Sequence, residues 1–160
     1  MFTFAFYFSP MNKIELKKRL LEVCIARQQK TAAELQQEVD ETLRLSNEYG
    51  APKDRYDPYR TKLMNQNNLF AQQLKQANAL LVTLQKIPLD REIRSVEFGA
   101  IVITDKQKIF VSVSLGKVEL DGEAFYAISP QVPIFAAMRG KKAGESFTFN
   151  GRKTQILDVF

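Results

Sequence analysis

The amino-acid sequence predicts an α+β protein in which an N-terminal antiparallel coiled-coil hairpin precedes a small antiparallel sheet domain. Residues 12–46 and 58–87 contain no glycine, contain proline only at residue 58, and repeat apolar residues at heptad spacing. The segment between them, about 47–57, is so short that the second helix must return along the first. After Pro88 the apolar pattern changes to period two, which is typical of strands. We therefore place the hairpin at 11–88 and the sheet domain at 89–160.

The heptad positions predict which side chains face the partner helix. Six of the nine positions in the first segment are apolar, as are six of the eight in the second. Uncharged polar residues occupy the interface at Gln28, Thr42 and Asn67. The full sets are Ile14, Lys18, Leu21, Ile25, Gln28, Ala32, Leu35, Val39 and Thr42, then Arg60, Leu63, Asn67, Phe70, Leu74, Ala77, Leu81 and Leu84.

The C-terminal half contains five strand candidates, at 96–104, 108–116, 117–129, 145–149 and 153–160. Asp121-Gly122 and Asn150-Gly151 are turn dipeptides that favour tight hairpins, because both residues tolerate positive φ. The stretch "SPQVPIFAAMRGKKAG" (129–144) interrupts the strands and predicts a short helix followed by a basic loop. These features complete a compact α+β domain.

Residues 1–10, "MFTFAFYFSP", are apolar and aromatic but too few to span a bilayer. They have neither a basic leading region nor a small-residue cleavage site, which argues against a signal peptide. Since "MNKIELKKR" at Met11 has the composition of a natural start, we interpret 1–10 as a non-native N-terminal extension. An extra strand or an apolar arm is the alternative. With no other targeting segment, we expect a soluble, cytoplasmic protein that has no membrane partner.

Composition excludes several kinds of active site. The chain has no histidine and one cysteine, Cys24, so neither a histidine-assisted nucleophile nor a cysteine–histidine zinc site is possible. Cys24 is expected to be a small buried residue in a reducing compartment. The net charge of +5 gives no argument for binding free DNA. We see no phosphate-binding glycine loop and no catalytic acid pair in the strands, and expect no small-molecule substrate.

Acidic residues concentrate towards the turn of the hairpin. From residue 34 to residue 57 there are seven acids and three bases, whereas residues 12–27 carry five bases and two acids. The acids are Glu34, Glu38, Asp40, Glu41, Glu48, Asp54 and Asp57. A solvated helix face is the ordinary explanation for such a run. Like charges near a turn repel one another, which favours a functional explanation here.

The sequence resembles the Gre family of bacterial transcript-cleavage factors over about residues 12–160. "VEFGAIV" (96–102) resembles the opening strand of the family's second domain, which is FKBP-like. "AISPQVPIFAAMRGKKAGESFTF" (127–149) is similar to the family stretch in which Ser-Pro precedes a short helix, Gly-Lys-Lys and Gly-acid. The turn, "KDRYD" (53–57), corresponds to the family's Gly-Asp-x-x-Glu. It departs from that motif by Lys53 in place of glycine and Asp57 in place of glutamate, and it is closest to a short, divergent group.

The resemblance implies an elongation factor that inserts its hairpin into the secondary channel of RNA polymerase. The factor would stimulate cleavage of backtracked RNA by the polymerase, and so would touch nascent RNA only indirectly. Asp54 and Asp57 would then be the acidic residues that help to hold Mg²⁺ at the polymerase active site, the protein having no cofactor of its own. Contacts with polymerase or RNA would involve Arg55, Tyr56, Arg60, Lys141 and Lys142.

Each of these assignments has a structural alternative. Asp57 followed by Pro58 is a standard helix start, and an aspartate that caps its own helix is less available to bind metal. Asp54 is therefore the stronger candidate, although an ordinary loop aspartate is its alternative. Tyr56 and Tyr59 are more typical of packing at the turn, and Lys141 and Lys142 of a solvated loop. Two other functions stay open: a channel-binding regulator without cleavage activity, and an FKBP-like binding module on a stalk.

Overall fold

The computed structural model describes residues 10–50 and 57–160, a part of the chain with three helices and six strands. The helices are α1 (Pro10–Tyr49), α2 (Pro58–Gln85) and α3 (Pro133–Met138). The strands are β1 (Ile101–Thr104), β2 (Lys108–Val111), β3 (Gly116–Leu120), β4 (Glu123–Ile128), β5 (Ser146–Phe149) and β6 (Arg152–Val159). A helical hairpin followed by a mostly antiparallel sheet confirms the predicted α+β class.

The long helices end close to where the sequence predicts. Neither contains glycine, and Pro58 occupies the first position of α2, where its missing N–H costs nothing. α1 extends three residues beyond the predicted end, to Tyr49, and begins at Pro10, the last residue of the predicted N-terminal extension. Residues 1–9 lie outside the described residues, so the interpretation of that extension stays a prediction.

The chain divides into two compact units, one made of Ala26–Val82 and the other of the chain up to Ile25 together with Thr83–Phe160. Within the first unit, polar side chains join the two helices. Gln28 Nε2 donates to the carbonyl of Ala77 at 3.3 Å. Asn67 Nδ2 donates to the carbonyl of Val39 at 2.9 Å and to Thr42 Oγ1 at 3.0 Å. Early residues of α1 thus meet late residues of α2, which confirms an antiparallel pair.

All eight heptad positions of α2 are buried or half-buried, as predicted, whereas α1 follows its heptad only in part. From Leu21 to Thr42 the predicted positions of α1 are buried or half-buried. Nearer the N-terminus the prediction is wrong, because Ile14 and Lys18 are exposed while Lys17, Leu20 and Cys24 are buried. The chain up to Ile25 belongs to the same unit as the sheet. There α1 also contacts the sheet segments, so a different face of the helix is covered.

Ion pairs anchor this part of α1 within its own unit. Lys13 Nζ lies 2.8 Å from Asp158 Oδ2 on β6, and 5.5 Å from the centre of the Phe160 ring. Arg19 binds Asp121 with two hydrogen bonds of 2.6 and 2.8 Å. The Arg19 guanidinium, by hydrogen bond and charge, holds the pKa of the Asp121 carboxyl below its ordinary value. Both partners of that pair are exposed, so its main effect is to fix geometry.

The sheet has the strand order β3-β4-β2-β1-β6-β5. Every pair is antiparallel except β2–β4, which is parallel, so the sheet is mostly antiparallel, as predicted, with one parallel pair that the strand pattern did not indicate. The chain leaves β2, forms β3, and returns through a tight turn, which brings β4 beside β2 in the same direction. The FKBP-like character of the domain remains an expectation from the sequence resemblance.

Both predicted hairpin turns are present. Asp121 and Asn150 have φ of 53° and 51°, followed by Gly122 and Gly151 at 77° and 74°. Two consecutive positive φ values are what a two-residue hairpin turn requires. The strand predicted at 96–104 begins only at Ile101, because Gly99 has a φ of 92° and the Ala100 N–H donates to Glu97 O at 3.0 Å, which forms a turn.

The core of the sheet unit is apolar and largely β-branched or aromatic. Strands β1, β2 and β6 each contribute members with 0–1% exposure, and the predicted short helix, α3, adds Phe135 and Met138. The cluster comprises Ile93, Val96, Ala100, Val102, Ile109, Val111, Phe135, Met138, Phe147, Ile156 and Val159. Each large member contributes about 1.5–3 kcal/mol by leaving water. Within the described ranges, no helix is both long and apolar enough to cross a membrane.

Candidate functional site at the hairpin end

The candidate site is the region where α1 ends and α2 begins. Tyr49 is the last residue of α1, and Gly50 follows with a φ of 84°, a conformation that glycine adopts without strain. The Gly50 N–H donates to the carbonyl of Asn47 at 3.2 Å, which closes the helix. Residues 51–56 lie outside the described residues. The structure therefore does not place Asp54, Arg55 or Tyr56, and their predicted roles are untested.

Asp57 is the N-cap of α2. Its Oδ1 accepts a hydrogen bond of 3.2 Å from the backbone N–H of Arg60, and its carbonyl accepts from the N–H and hydroxyl of Thr61 at 3.2 and 2.9 Å. The residue is only 9% exposed. A capping aspartate typically stabilises its helix by about 1 kcal/mol. Asp57 therefore caps α2, which is the structural alternative to a metal-binding role. Its carboxylate is not exposed, whereas the metal hypothesis expects it to be.

Arg60 and Tyr59 join the two helix ends. Arg60 Nη1 donates to the carbonyl of Gly50, where a cation also meets the negative end of the α1 dipole. The rings of Tyr49 and Tyr59 lie 4.8 Å apart between centres and are tilted by 57°. Tyr59 therefore packs at the hairpin end, as predicted. The structure gives Arg60 an intramolecular role, and its predicted contact with a partner remains untested.

Exposed acids line the part of α1 that precedes the turn. Arg44 binds Glu41 at 2.6 Å and Glu48 at 2.5 Å. These contacts raise the pKa of Arg44, and its guanidinium lowers the pKa of Glu41, chiefly through the hydrogen bond. Two acids are thereby partly neutralised. Glu34, Glu38 and Asp40 are also exposed, so this stretch of the hairpin keeps a negative surface.

The other predicted contact residues lie in the sheet unit. Lys141 and Lys142 follow α3 in a loop that the backbone fixes: the Val96 N–H donates to Lys141 O at 2.8 Å, and the Lys142 N–H donates to Glu145 Oε1 at 3.0 Å. Lys142 is exposed and Lys141 is half-buried. The hydrogen bonds that fix this loop therefore involve the backbone groups of the two lysines rather than their ammonium groups.

Among the described residues, no group of three or more acidic or cysteine side chains is arranged to hold a metal ion. The sequence reasoning also missed one residue, Lys17, which is only 5% exposed. Burial, with the charge of Arg91 as the second cause, lowers the pKa of Lys17 to about 8, against a smaller opposing effect of Glu97. The heptad pattern assigned the neighbouring Lys18, not Lys17, to the interface, so the sequence did not indicate that Lys17 is buried.

Comparisons with known proteins give only distant matches. No protein-family model matches the chain, and no curated protein matches it. The crystal structure of GreA factor homolog 1 (Gfh1) of Thermus thermophilus matches with 16% identity, over 90% of this chain and 94% of that one, at a TM-score of 0.33. A second structure of the transcription factor Gfh1 matches with 15% identity, over 86% and 93%, at a TM-score of 0.32. Values this low do not establish a shared function.

Proposed function

We propose that this protein is a bacterial transcription elongation factor of the Gre type. Its hairpin enters the secondary channel of RNA polymerase and stimulates cleavage of backtracked RNA. The observation that carries the proposal is an acidic, antiparallel helical hairpin in the same chain as a domain with the Gre-like stretch 127–149. The protein is then not itself an enzyme, and its place of action is the cytoplasm, where its partner works.

The roles of the two aspartates differ in this proposal. Hydrolysis of a phosphodiester is assisted by Mg²⁺, which in the family belongs to the polymerase active site and takes one or two carboxylates from proteins. Asp57 does not fit the part of an exposed ligand, because it is buried and caps α2. We assign the functional carboxylate to Asp54 and the positioning of the turn to Asp57, with no cofactor held by this chain alone.

A second candidate is a channel-binding regulator without cleavage activity. The cap at Asp57 favours it, because a hairpin with one available carboxylate supplies fewer ligands than the paired acids of the family motif. Both candidates share the binding step, which rests on the hairpin. They differ only in whether the rate of RNA cleavage rises.

A cleavage assay on backtracked complexes of bacterial RNA polymerase distinguishes the candidates. The variants are Asp54→Asn and Asp57→Asn, with Asp40→Asn as a control that makes the same charge change at an exposed position of α1. We expect Asp54→Asn to reduce the stimulated rate by about tenfold or more, equivalent to about 1.4 kcal/mol in the barrier. Asp57→Asn should keep most of the activity, since asparagine caps as well as aspartate.

Three outcomes would contradict the proposal or part of it. If the wild-type protein binds polymerase and leaves cleavage unchanged, the regulator is correct and the cleavage factor is not. If Asp57→Asn is as damaging as Asp54→Asn, the charge of Asp57 matters beyond the cap and our division of roles is wrong. If the protein does not bind polymerase, measured by co-sedimentation at low salt, the transcription proposal fails and the FKBP-like binding module is the remaining hypothesis.

A further inference from the structure

A cavity of about 500 Å³ lies in the unit that contains the sheet, between the first turns of α1, the segment 89–94 and the end of the chain. Ligand sites in proteins typically occupy about 300–1,000 Å³, so this cavity has room for a small organic molecule. Its apolar wall is made by Ile14, Leu89, Ile93, Val159 and Phe160. The rest of the lining is charged and includes Lys17. A lining with both apolar and charged parts suits a ligand that has an apolar body and one charged group.

Most charged side chains at the cavity already have partners. Lys13 pairs with Asp158 at 2.8 Å, and Arg91 Nη2 pairs with Glu97 Oε1 at 2.9 Å. Arg94 pairs with Glu92 at 3.0 Å. Most carboxylates around the cavity are thus paired with neighbouring cations, and Asp90 is a further acid in the lining.

Lys17 is the exception. It lines the cavity, is only 5% exposed, and has neither a hydrogen bond nor an ion pair in the part of the chain that the structure describes. A largely buried ammonium that pairs with no carboxylate is costly, because it loses part of its hydration and gains no partner in exchange. Its lowered pKa, about 8, reflects that burial first and the nearby Arg91 second. An anion placed against Lys17 would restore the missing interaction.

We propose that this cavity binds a small organic anion, a carboxylate or phosphate ester on an apolar body, with the anionic group paired to Lys17. The apolar body lies against Ile14, Val159 and Phe160. The selectivity follows from the lining: inorganic phosphate satisfies Lys17 but not the apolar wall, and a neutral aromatic molecule satisfies the wall but leaves the ammonium unpaired. The site is independent of the hairpin end and of the proposed action on polymerase.

The experiment titrates the full-length protein with phenyl phosphate and follows backbone amide shifts by NMR. Inorganic phosphate and phenol, each alone, serve as the two partial ligands. The test variant is Lys17→Met, which keeps an unbranched side chain of similar length without its charge. Lys18→Met is the matched control, because Lys18 is the next residue of the same helix and is exposed.

We expect saturable shifts at the cavity residues with phenyl phosphate, and weaker binding of phosphate or phenol. Lys17→Met should weaken phenyl phosphate about tenfold or more, the size of a lost charged hydrogen bond, whereas Lys18→Met should leave it unchanged. Equal losses in the two variants would mean diffuse attraction to a basic surface and would overturn the proposal. Absence of saturable binding, or unchanged affinity in Lys17→Met, would overturn it as well.

The pH dependence of the wild-type protein tests the same site without any mutation. The charged groups near Lys17 are Lys13 on α1, the segment residues Asp90, Arg91, Glu92 and Arg94, then Glu97, and Asp158 on β6. Carboxylates and guanidinium groups ordinarily keep their charge between pH 7 and pH 9. Loss of the proton from Lys17 should therefore lower the affinity about tenfold over that interval. A constant affinity would overturn the assignment to Lys17 even if Lys17→Met fails to fold.

Discussion

Replacing Lys17 with methionine should stabilise the protein at neutral pH. The lysine is buried without a partner in the described chain, and its pKa falls from 10.5 to about 8 on folding, mainly through loss of water. Between these two values the unfolded chain binds more protons than the folded chain, so the free energy of unfolding of the wild type rises with pH across this window. Methionine fills similar space and carries no charge to desolvate.

The magnitude follows from the two pKa values. The lowering of the Lys17 pKa from 10.5 to about 8 reduces the free energy of unfolding of the wild type by at most roughly 3 kcal/mol at pH 7, where the folded protein holds the charged form. Relaxation and partial hydration of the ammonium reduce this, so we expect Lys17→Met to raise the free energy of unfolding by about 1–3 kcal/mol. Near pH 10.5 and above, the wild-type lysine is neutral when folded, and most of the difference should vanish.

Urea unfolding followed by far-ultraviolet circular dichroism, at constant ionic strength, provides the measurement. The difference between Lys17→Met and wild type is taken at pH 7 and at about pH 10.5, because groups common to both proteins cancel in it. Lys18→Met should show no such change with pH. A destabilised Lys17→Met at pH 7, or a difference that is the same at both pH values, would refute the reasoning.

Three further predictions concern backbone and interface positions. Asp57→Ala should lower the free energy of unfolding by about 1 kcal/mol, measured by urea denaturation, because the cap of α2 is lost; Asp57→Asn should retain most of it. The single variants Asn67→Ala and Thr42→Val should be non-additive by about 0.5 kcal/mol or more in a double-mutant cycle, since their side chains share a hydrogen bond. Gly99→Ala should lower the melting temperature more than Gly116→Ala: both glycines have positive φ, but only at Gly99 would the new Cβ meet a neighbour, Pro88 Cδ, at 3.1 Å.

Local chemistry explains what the sequence predicted well. Asn150-Gly151 predicts its turn because only a few residues accept two positive φ values in succession, and that preference does not depend on the rest of the fold. Asp57-Pro58 predicts a helix start for a similar reason. The boundaries of both long helices follow from the absence of glycine and proline within them.

The errors all lie where distant segments meet. The heptad repeat assigns Ile14 and Lys18 to a buried face, but the face of α1 that is covered there depends on its contacts with residues such as Asp121 and Asp158, which follow more than a hundred positions later. The buried Lys17 and its cavity are consequences of the same contacts. The parallel pairing of β2 with β4 is likewise a property of the path of the chain, which a strand pattern does not contain.

The hairpin end shows how a structural role limits a functional one. Asp57 caps α2, Arg60 donates to the carbonyl of Gly50 at the end of α1, and Tyr59 packs on Tyr49. Variants at these positions therefore disturb the helix ends before they disturb any partner. Loss of activity in Asp57→Ala or Arg60→Ala would therefore not distinguish a ligand from a support. Asp57→Asn does distinguish them, because it removes the charge and keeps the cap. If cleavage stimulation survives that substitution and fails with Asp54→Asn, the chemistry depends on Asp54 rather than on the residues that cap and join the helix ends.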